Sequence, residues 1–228
     1  MEAVIEVRDL RFTYPDGVQA LQGVDFSLGA GETVALLGAN GSGKTTFLLH
    51  LVGLLSGQGE VRVCGEALTK ENVAFARQKI GFLFQDSDDQ LFMPTVAEDV
   101  AFGPLNQGLD AAEVDRLREE ALRRVGLEGL EDRAPHHLSA GQKRRIALAG
   151  LLTMAPEVIL LDEPATFLDP PARRGLVDLL YDLPQAKLIV THDLSLAESL
   201  STRAVFFEQG RIAAEGSVAE LSAQFDWS

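Results

Sequence analysis

Lys44 and Thr45 close an octapeptide, GANGSGKT, whose glycine and lysine spacing is typical of a phosphate-binding loop. The glycines let the backbone turn tightly enough for its N–H groups to surround an anion. Lys44 adds a mobile positive charge for the β- and γ-phosphates, and Thr45 offers a hydroxyl to Mg²⁺. The predicted contacts with a nucleoside triphosphate are Gly38, Ala39, Asn40, Gly41, Ser42, Gly43, Lys44, Thr45 and Thr46.

The elements on either side of this loop fit a phosphate site. Residues Thr33–Leu37, TVALL, form a short apolar run typical of a buried strand, and residues 44–55 have the pattern of a helix broken only by Gly53. The loop therefore joins the end of a strand to the start of a helix, where anions bind. A glycine-rich turn without a ligand is the alternative, which these flanking elements disfavour.

Two acids follow a second buried strand. Residues 158–161 are apolar, and Asp162 and Glu163 come directly after them, at the carboxyl end where open α/β sheets bind ligands. Successive residues of a strand point to opposite sides, so the two carboxylates can have different roles. We expect Asp162 to hold Mg²⁺ and Glu163 to orient and deprotonate an attacking water. The alternative is an acidic strand end that only faces solvent.

The string LSAGQ contains a capping box, Ser139 followed three residues later by Gln142. It predicts a helix that has Gly141 in its first turn and continues through Leu152. A free helix N-terminus that carries a serine hydroxyl can bind an anion. An ordinary helix cap is the alternative, but this cap lies about 20 residues before the acidic strand.

In this order, GANGSGKT, LSAGQ and VILLDEP resemble the nucleotide-site strings of ATP-binding cassette ATPases, and the resemblance covers nearly all 228 residues. It implies an α/β fold, a P-loop NTPase of the ATP-binding cassette type, as a single domain over residues 1–228. A mixed sheet would form the core, with an N-terminal antiparallel β lobe and a helical subdomain over about residues 86–150. The implied activity is ATP hydrolysis, with ATP and Mg²⁺ as cofactors.

The resemblance assigns further site residues. Tyr14 would stack on adenine; the alternative is an edge-strand aromatic that alternates with Phe12. Gln85, after the strand-like string IGFLF, would reach Mg²⁺ and the attacking water. His192, at the end of LIVTH, would contact the γ-phosphate. Gln85, Glu163 and His192 are thus the implied catalytic residues, and Thr45, Gln85 and Asp162 the implied metal ligands.

The same resemblance implies a head-to-tail pair, either a homodimer or two different cassette subunits. Each ATP would then meet Ser139, Gly141 and Gln142 of the second subunit, and Asp169 in FLDPP would lie near the seam. Phe167 occupies a position beside this seam where the family commonly has Ala or Gly.

Within the family, the chain looks most like the ATPases of energy-coupling-factor importers of the cobalt and nickel type. FTYPDGVQAL, FQDSDDQLFMPTVAEDVAFGPLNQGL and LSAGQKRRIALAGLL support this. In the middle string, Thr95 and Glu98 predict a capped helix that Gly103 and Pro104 should end. By resemblance, residues 85–102 contact integral-membrane transporter subunits; the alternative is a core role for the apolar side chains. Those side chains are Leu91, Phe92, Met93, Val96 and Phe102.

Composition disfavours other classes. A net charge of −14 predicts no nucleic-acid partner, which opposes the alternative of a soluble cassette ATPase acting on ribosomes or DNA. The basic residues Lys143, Arg144 and Arg145 are interpreted as a helix face. The single Cys64 cannot form an internal disulfide and suits a reducing cytosol.

Membrane function is expected to come from other chains. Residues 1 and 2 do not begin a signal-peptide pattern, and Pro156 and Glu157 interrupt the longest apolar stretch, residues 146–161. We therefore expect a peripheral subunit at the cytoplasmic face of the cell membrane. Two weak metal patterns, the acids of residues 86–89 and the pair His136 and His137, are interpreted as decoys because they lack complete ligand sets.

Overall fold

The computed structural model describes residues 2–226; residues 1, 227 and 228, the two ends of the predicted domain, lie outside the described residues. The strands are β1 (Ala3–Thr13), β2 (Gln19–Gly29), β3 (Thr33–Leu37), β4 (Gln58–Val63), β5 (Glu66–Ala67), β6 (Ile80–Leu83), β7 (Val158–Asp162), β8 (Ala186–Val190), β9 (Arg203–Glu208) and β10 (Arg211–Gly216). The α-helices are α1 (Lys44–Leu51), α2 (Val73–Lys79), α3 (Val96–Asn106), α4 (Ala111–Arg124), α5 (Ala140–Leu152), α6 (Pro170–Tyr181), α7 (Leu194–Leu200) and α8 (Val218–Gln224).

The strands form two sheets. The first is antiparallel, in the order β2-β1-β4-β5, and it confirms the predicted N-terminal β lobe. Its hairpin between β4 and β5 turns at Cys64 and Gly65, both in the left-handed region with φ of 48° and 83°. Left-handed conformations at both turn residues are typical of a tight two-residue β-hairpin.

The second sheet has the order β10-β9-β3-β8-β7-β6. Neighbouring strands from β9 to β6 pair in parallel, and only β10 joins as an antiparallel edge strand, so the predicted mixed sheet is confirmed. Every residue of β3, β6, β7 and β8 is buried because helices cover both faces. Leu160 packs toward α1 and the β lobe, whereas Ile159 and Leu161 pack toward α5, α6 and α7.

Helices α3, α4 and α5 lie within or next to the predicted helical region. They share a cluster that includes Val100, Leu122 and Ile146. The opposite side of α5 packs Leu148 against the parallel sheet. Helix α5 therefore connects the helical region to the strands that carry the acidic residues.

Helix α1 ends four residues earlier than the sequence predicts. Gly53 adopts φ of +63°, and the N–H of Leu54 donates to the carbonyl of Leu49 at 3.0 Å. Such a return bond, with a left-handed glycine after the last helical turn, is a common helix end. Gly53 therefore terminates the helix, and the prediction that it only interrupts a helix over residues 44–55 was wrong.

The predicted end of α3 at Gly103 and Pro104 was also wrong, since the helix continues to Asn106. Proline removes the N–H that would bond to the carbonyl four residues earlier, here that of Val100. The hydroxyl of Thr153 lies 3.3 Å from this carbonyl, but its shorter hydrogen bond, 2.7 Å, goes to the carbonyl of Gly150. The proline turn of α3 thus lies against the residue that follows α5, and the helix continues without that backbone bond.

Candidate active site

The carboxyl ends of β3, β6, β7 and β8 meet at one edge of the parallel sheet, next to the end of β1. A cavity of about 370 Å³ lies there and brings together most of the predicted site residues. Gly38, Ala39 and Ser42 belong to the same loop but do not line this cavity. The predicted residues that line it are Tyr14, Asn40, Gly41, Gly43, Lys44, Thr45, Thr46, Gln85, Asp162, Glu163 and His192.

The phosphate-binding loop depends on two of its glycines for close backbone contacts. Gly38 has φ of 132°, and a Cβ there would lie 2.1 Å from the carbonyl oxygen of Phe207. Gly43 has φ of 109°, and a Cβ there would lie 2.5 Å from the carbonyl oxygen of Ala20. Any side chain at either position would push the loop off the sheet, so glycine is required for the loop's shape as well as its turn.

Lys44 begins α1 directly after this loop. Its ammonium donates hydrogen bonds to the carbonyls of Gly38 at 2.7 Å and Ala39 at 2.9 Å. Burial lowers the pKa of Lys44, while the nearby carboxylates of Glu163 and Asp162 raise it. The cation is therefore held inside the loop, within a cavity that can accept phosphate oxygens.

Thr45 and Asp162 form the oxygen-rich part of the cavity. The Thr45 hydroxyl donates to Oδ2 of Asp162 at 2.9 Å. Burial raises the pKa of Asp162, although the Thr45 hydrogen bond opposes this by favouring the charged form. Gln85 lines the same cavity. Hydroxyl, carboxylate and amide oxygens are hard ligands that suit Mg²⁺, so these residues fit a magnesium ion.

Glu163 follows Asp162 directly and pairs with His192. Nδ1 of His192 lies 2.8 Å from Oε2 of Glu163, and the Glu163 side chain is largely buried. Glu163 has a left-handed φ of 48°, which is uncommon for a residue with a side chain and is concentrated at functional sites. The two adjacent carboxylates thus have different partners, as the sequence predicts, and Glu163 has a neighbour that can orient it.

Tyr14 lies just beyond β1, at the rim of the cavity. Its hydroxyl forms a hydrogen bond of 3.0 Å with the hydroxyl of Thr46, and its ring packs edge-on against Phe12 at a centroid distance of 4.8 Å. The contact with Phe12 matches the alternative interpretation of this aromatic. Tyr14 also lines the phosphate cavity, so stacking on a base stays a prediction for its ring.

Arg144 points into the protein. The sequence analysis interpreted it, with Lys143 and Arg145, as part of a plain helix face and missed this direction. Arg144 is only 4% exposed, and its guanidinium donates to the carbonyls of Phe84 at 2.5 Å and Gln85 at 2.6 Å. Burial lowers the pKa of Arg144, and the charges of Asp86 and Asp162 raise it. Arg144 lies at helical spacing with Leu148 and Leu151, and this stripe could have indicated its inward direction.

Arg173 is a second residue that the sequence analysis did not identify. Its guanidinium makes two hydrogen bonds to the carboxylate of Asp193, at 2.7 and 2.8 Å. Asp193 also caps α7 and directly follows His192. Helix α6 therefore holds the segment that carries His192, and a bidentate contact of this kind fixes orientation as well as distance.

The LSAGQ string forms the predicted capping box. The Ser139 hydroxyl accepts from the N–H of Gln142 at 3.2 Å, and the Gln142 side chain accepts from the N–H of Ser139 at 2.9 Å. Gly141 packs against Ala172, where an added Cβ would lie 2.7 Å from that residue's own Cβ. Asp169 caps α6. None of Ser139, Gly141, Gln142 and Asp169 lines the phosphate cavity of its own chain.

The weak metal patterns have structural explanations. Asp86 accepts a hydrogen bond from the N–H of Asp88 in a short turn, and the rings of His136 and His137 pack on each other at 4.1 Å. In residues 2–226 no group of three or more His, Cys, Asp or Glu side chains is arranged to hold a metal ion. Cys64 is half-buried, and burial raises its pKa to about 11.

No helix in the described part of the chain has the length and hydrophobicity that a membrane span requires. The fold and the cavity together define a P-loop nucleoside triphosphatase. Residues 21–166 match the family of ABC transporters, so the chain belongs to that family. It is an ABC-type ATPase, with ATP and Mg²⁺ as its cofactors.

The chain is similar to named members of this family. It is 46% identical over 224 residues to the energy-coupling factor transporter ATP-binding protein EcfA of Methanothermobacter thermautotrophicus, covering 96% of this chain and 72% of that protein. The structure of cbiO1 from Clostridium perfringens, part of the ABC transporter complex cbiONQ, has a TM-score of 0.89 and 34% identity, covering 99% of this chain and 93% of that one.

A second solved structure shows an assembled state. The ATP-binding cassette MJ0796, a dimer in a post-hydrolysis state bound to ADP and Pi, has a TM-score of 0.84 and 28% identity. The alignment covers 94% of this chain and 98% of that chain. The fold of an ATP-binding cassette is thus shared over nearly the whole length.

Replacing Arg144 should slow catalysis without weakening nucleotide binding. Arg144→Gln cannot reach both carbonyls, so the backbone at Gln85 loses its fixed position, and misplacement of this kind can cost roughly tenfold or more in kcat. The Kd for ATP should stay within about twofold, because the phosphate loop is unchanged. Steady-state ATPase assays and ATP titrations measure both values, with Arg145→Gln as the neighbouring control. An equal loss of kcat in both variants would contradict this role.

Proposed function

We propose that this chain is the ATP-hydrolysing subunit of an energy-coupling-factor type importer, held at the cytoplasmic face of the cell membrane by partner subunits. The main support is that the same chain has a phosphate cavity and, separate from it, an exposed apolar groove. The similarity to EcfA and to cbiO1 supports this importer type. Its cargo would be one of several candidates: cobalt, nickel, biotin or another vitamin.

In this proposal the loop and Lys44 bind the triphosphate. The loop N–H groups and the start of α1 surround the β- and γ-phosphates, and the ammonium moves from the loop carbonyls to phosphate oxygens. Tyr14 stacks on the adenine at the rim. Thr45, Asp162 and Gln85 hold Mg²⁺, which when bound neutralises charge on the β- and γ-phosphate oxygens.

Glu163 acts as the catalytic base. It orients the attacking water and accepts its proton while the new bond forms at the γ-phosphorus and the bond to ADP breaks. The 2.8 Å contact with His192 supports this role, because it fixes the carboxylate at the edge of the cavity. His192 is 65% exposed in the chain described here and can therefore reach an incoming phosphate.

A second cassette completes each site. Ser139 is exposed, caps a helix N-terminus and lies outside its own chain's cavity, so its hydroxyl is free to meet the phosphate of a partner. Gly141, Gln142 and Asp169 would join it at the seam. The partner is a second copy or a related cassette subunit, arranged head to tail, and the dimer of MJ0796 supports such an assembly.

The groove for the membrane subunit lies in residues 85–102 and the facing side of α5. Phe92 is 62% exposed, and its ring packs edge-on against that of Phe102 at 5.0 Å. Asp99 accepts hydrogen bonds from the N–H groups of Phe92 and Met93, which fixes this segment. Val96, in contrast, is fully buried and belongs to the core. The exposed aromatic pair offers the apolar surface that a docked helix would cover.

Replacing the proposed base should separate binding from turnover. Glu163→Gln should keep the ATP Kd within about twofold and lower kcat by roughly a hundredfold or more, because the amide cannot accept the proton. Lys44→Ala should instead lose ATP binding, since it removes the cation of the loop. Calorimetric titration and phosphate-release assays measure these effects. Normal turnover by Glu163→Gln, or an unchanged Kd for Lys44→Ala, would contradict the assignments.

Replacing the groove aromatics should release the membrane partner. Affinity-tagged chain from its native cells should recover integral-membrane proteins, identified by mass spectrometry, and the double variant Phe92→Asp/Phe102→Asp should lose them because charge cannot be buried in an apolar contact. Its ATPase activity in solution should stay within about twofold of the wild type, because neither aromatic lines the phosphate cavity. Tyr181→Asp, at an exposed aromatic on α6, is the matched control.

Recovery of ribosomal proteins or DNA in place of membrane proteins would favour the soluble cassette alternative. Equal recovery of membrane proteins by the double variant and the control would contradict the proposed binding of a membrane subunit in this groove.

Phe167 should strengthen the closed dimer. It is 86% exposed, has φ of +65° and precedes Asp169 by two residues. An aromatic ring buried against a partner contributes strongly, so Phe167→Ala in the Glu163→Gln background should weaken ATP-dependent dimerisation by roughly tenfold. Sedimentation velocity with ATP and Mg²⁺ measures the dimer Kd, and Tyr181→Ala provides the control. Equal Kd values with and without the Phe167 ring would contradict the idea.

A further inference from the structure

The carboxylate of Asp193, which directly follows His192, accepts hydrogen bonds from two helices. Within α7, the hydroxyl of Ser195 and the N–H of Leu196 donate to Oδ1, each at 3.0 Å. From α6, Arg173 donates through Nε to Oδ2 at 2.7 Å and through Nη2 to Oδ1 at 2.8 Å. Both carboxylate oxygens are therefore occupied, and Arg173 supplies a contact from outside the helix that Asp193 caps.

This ion pair fits a role in orientation better than one in stability. The side chains of Arg173 and Asp193 are each 29% exposed, and partly exposed ion pairs usually contribute little to the free energy of unfolding. Burial raises the pKa of Asp193, but hydrogen bonds, first from Leu196 and then from Arg173, outweigh this effect and lower the pKa below its usual value. The carboxylate is thus charged near pH 7, and the paired bonds fix its angle as well as its distance.

His192 lies between two fixed residues. On one side, Thr191 is 1% exposed, and its hydroxyl accepts from the N–H of Asp193 at 3.0 Å. On the other side, Asp193 is held by α6 and α7. The His192 side chain itself is 65% exposed, and its Nδ1 lies 2.8 Å from Oε2 of Glu163. Its ring is thus placed by its neighbours in the chain, and a small shift of Asp193 would move it relative to Glu163.

Helix α6 is a rigid anchor for Arg173. Its first turn is capped by Asp169, which accepts from the N–H of Ala172 at 2.8 Å through its side chain and from the N–H of Arg173 at 2.9 Å through its carbonyl. Ala172 also packs against Gly141 of α5, where an added Cβ would lie 2.7 Å from that of Ala172. Leu176, on the next turn, is buried in the core. Contacts other than those with the His192 segment therefore fix the helix that carries Arg173.

We propose that Arg173 is a positioning residue for ATP hydrolysis, which holds His192 in place by fixing Asp193. In that place the ring can contact both Glu163 and an incoming γ-phosphate. The inference rests on the proposed function, which gives His192 that contact. Arg173 does not line the phosphate cavity, so it acts through His192 and not on the nucleotide.

Replacing Arg173 should lower kcat and leave ATP binding unchanged. Arg173→Gln cannot form both bonds to the carboxylate, and misplacement of a group at the reaction centre can cost roughly ten- to a hundredfold in kcat. KM and the Kd for ATP should stay within about twofold, because the phosphate loop is intact. Phosphate-release assays and calorimetric titration measure these values on the full chain. Arg174→Gln, at the exposed neighbouring residue of α6, is the matched control and should keep the kcat of the wild type.

A double-mutant cycle tests whether Arg173 acts through His192. If it does, Arg173→Gln should lower kcat by less than about twofold in the His192→Ala background, because the side chain that it positions is already absent. Independent roles would give a double variant whose loss is the product of the two single losses. That result would contradict the proposal.

The ring resonances of His192 give a measurement that does not depend on turnover. The chain has four histidines, so the spectrum of His192→Ala identifies the Cε1–Hε1 cross-peak of His192. In spectra of ¹³C-labelled protein, Arg173→Gln should shift or broaden this cross-peak and leave those of His50, His136 and His137 in place. An unchanged His192 cross-peak would overturn the positioning role.

The outcomes separate this inference from the proposed function. A normal kcat for His192→Ala would contradict the proposed role of His192 itself. A lowered kcat for His192→Ala, together with a normal kcat for Arg173→Gln, would overturn the inference alone.

A second variant keeps the test decisive if Arg173→Gln does not fold. Arg173→Lys keeps the charge and most of the stem but cannot form the paired bonds to Asp193, so its kcat should also fall. Wild-type kcat in Arg173→Lys would show that a fixed orientation is not required, and would rule out the proposal.

Discussion

The parallel pairing of β3, β8, β7 and β6 determines where the core and the site residues lie. Because these strands pair in register and end at one edge of the sheet, they bring the phosphate loop, the acids after β7, Gln85 and His192 to one cavity. Their side chains are buried at every position, so a shift of one strand would expose apolar residues and separate the site groups together. The core and the site are therefore stabilised by the same packing.

Charged contacts connect this edge to the helices around it. Arg144 ties α5 to the segment of Gln85, and Arg173 ties α6 to the segment of His192. Helix α5 also begins with the Ser139 cap, so the surface proposed to meet a second cassette and the groove proposed to meet a membrane subunit share one rigid element. This arrangement offers a direct physical route by which nucleotide binding and membrane contact can influence each other.

Local patterns in the sequence predicted most of the elements, because strand runs, caps and the glycine-lysine spacing depend on neighbouring residues. Eleven of the predicted site residues also line one cavity. Features set by distant contacts were missed. Pro104 should end α3, but the helix continues to Asn106 and packs its proline turn beside Thr153, nearly fifty residues later. The basic cluster of residues 143–145 predicted a helix face for Arg144. Its guanidinium instead donates to the carbonyl of Phe84, just after β6, and so points inward. Phe92 is exposed and Val96 is buried, although they are only four residues apart. Packing against other elements determines this difference, and the spacing in the sequence does not.

In the proposed assembly, the cavity of one chain holds Mg·ATP and a second cassette completes it. The most direct measurement is a structure of the Glu163→Gln protein with ATP and Mg²⁺, in which the variant prevents turnover. We expect each γ-phosphate to lie between Lys44 of one copy and Ser139 of the other, with the serine oxygen within about 3 Å of a phosphate oxygen. ATP bound by one copy alone, with Ser139 of both copies facing solvent, would contradict it.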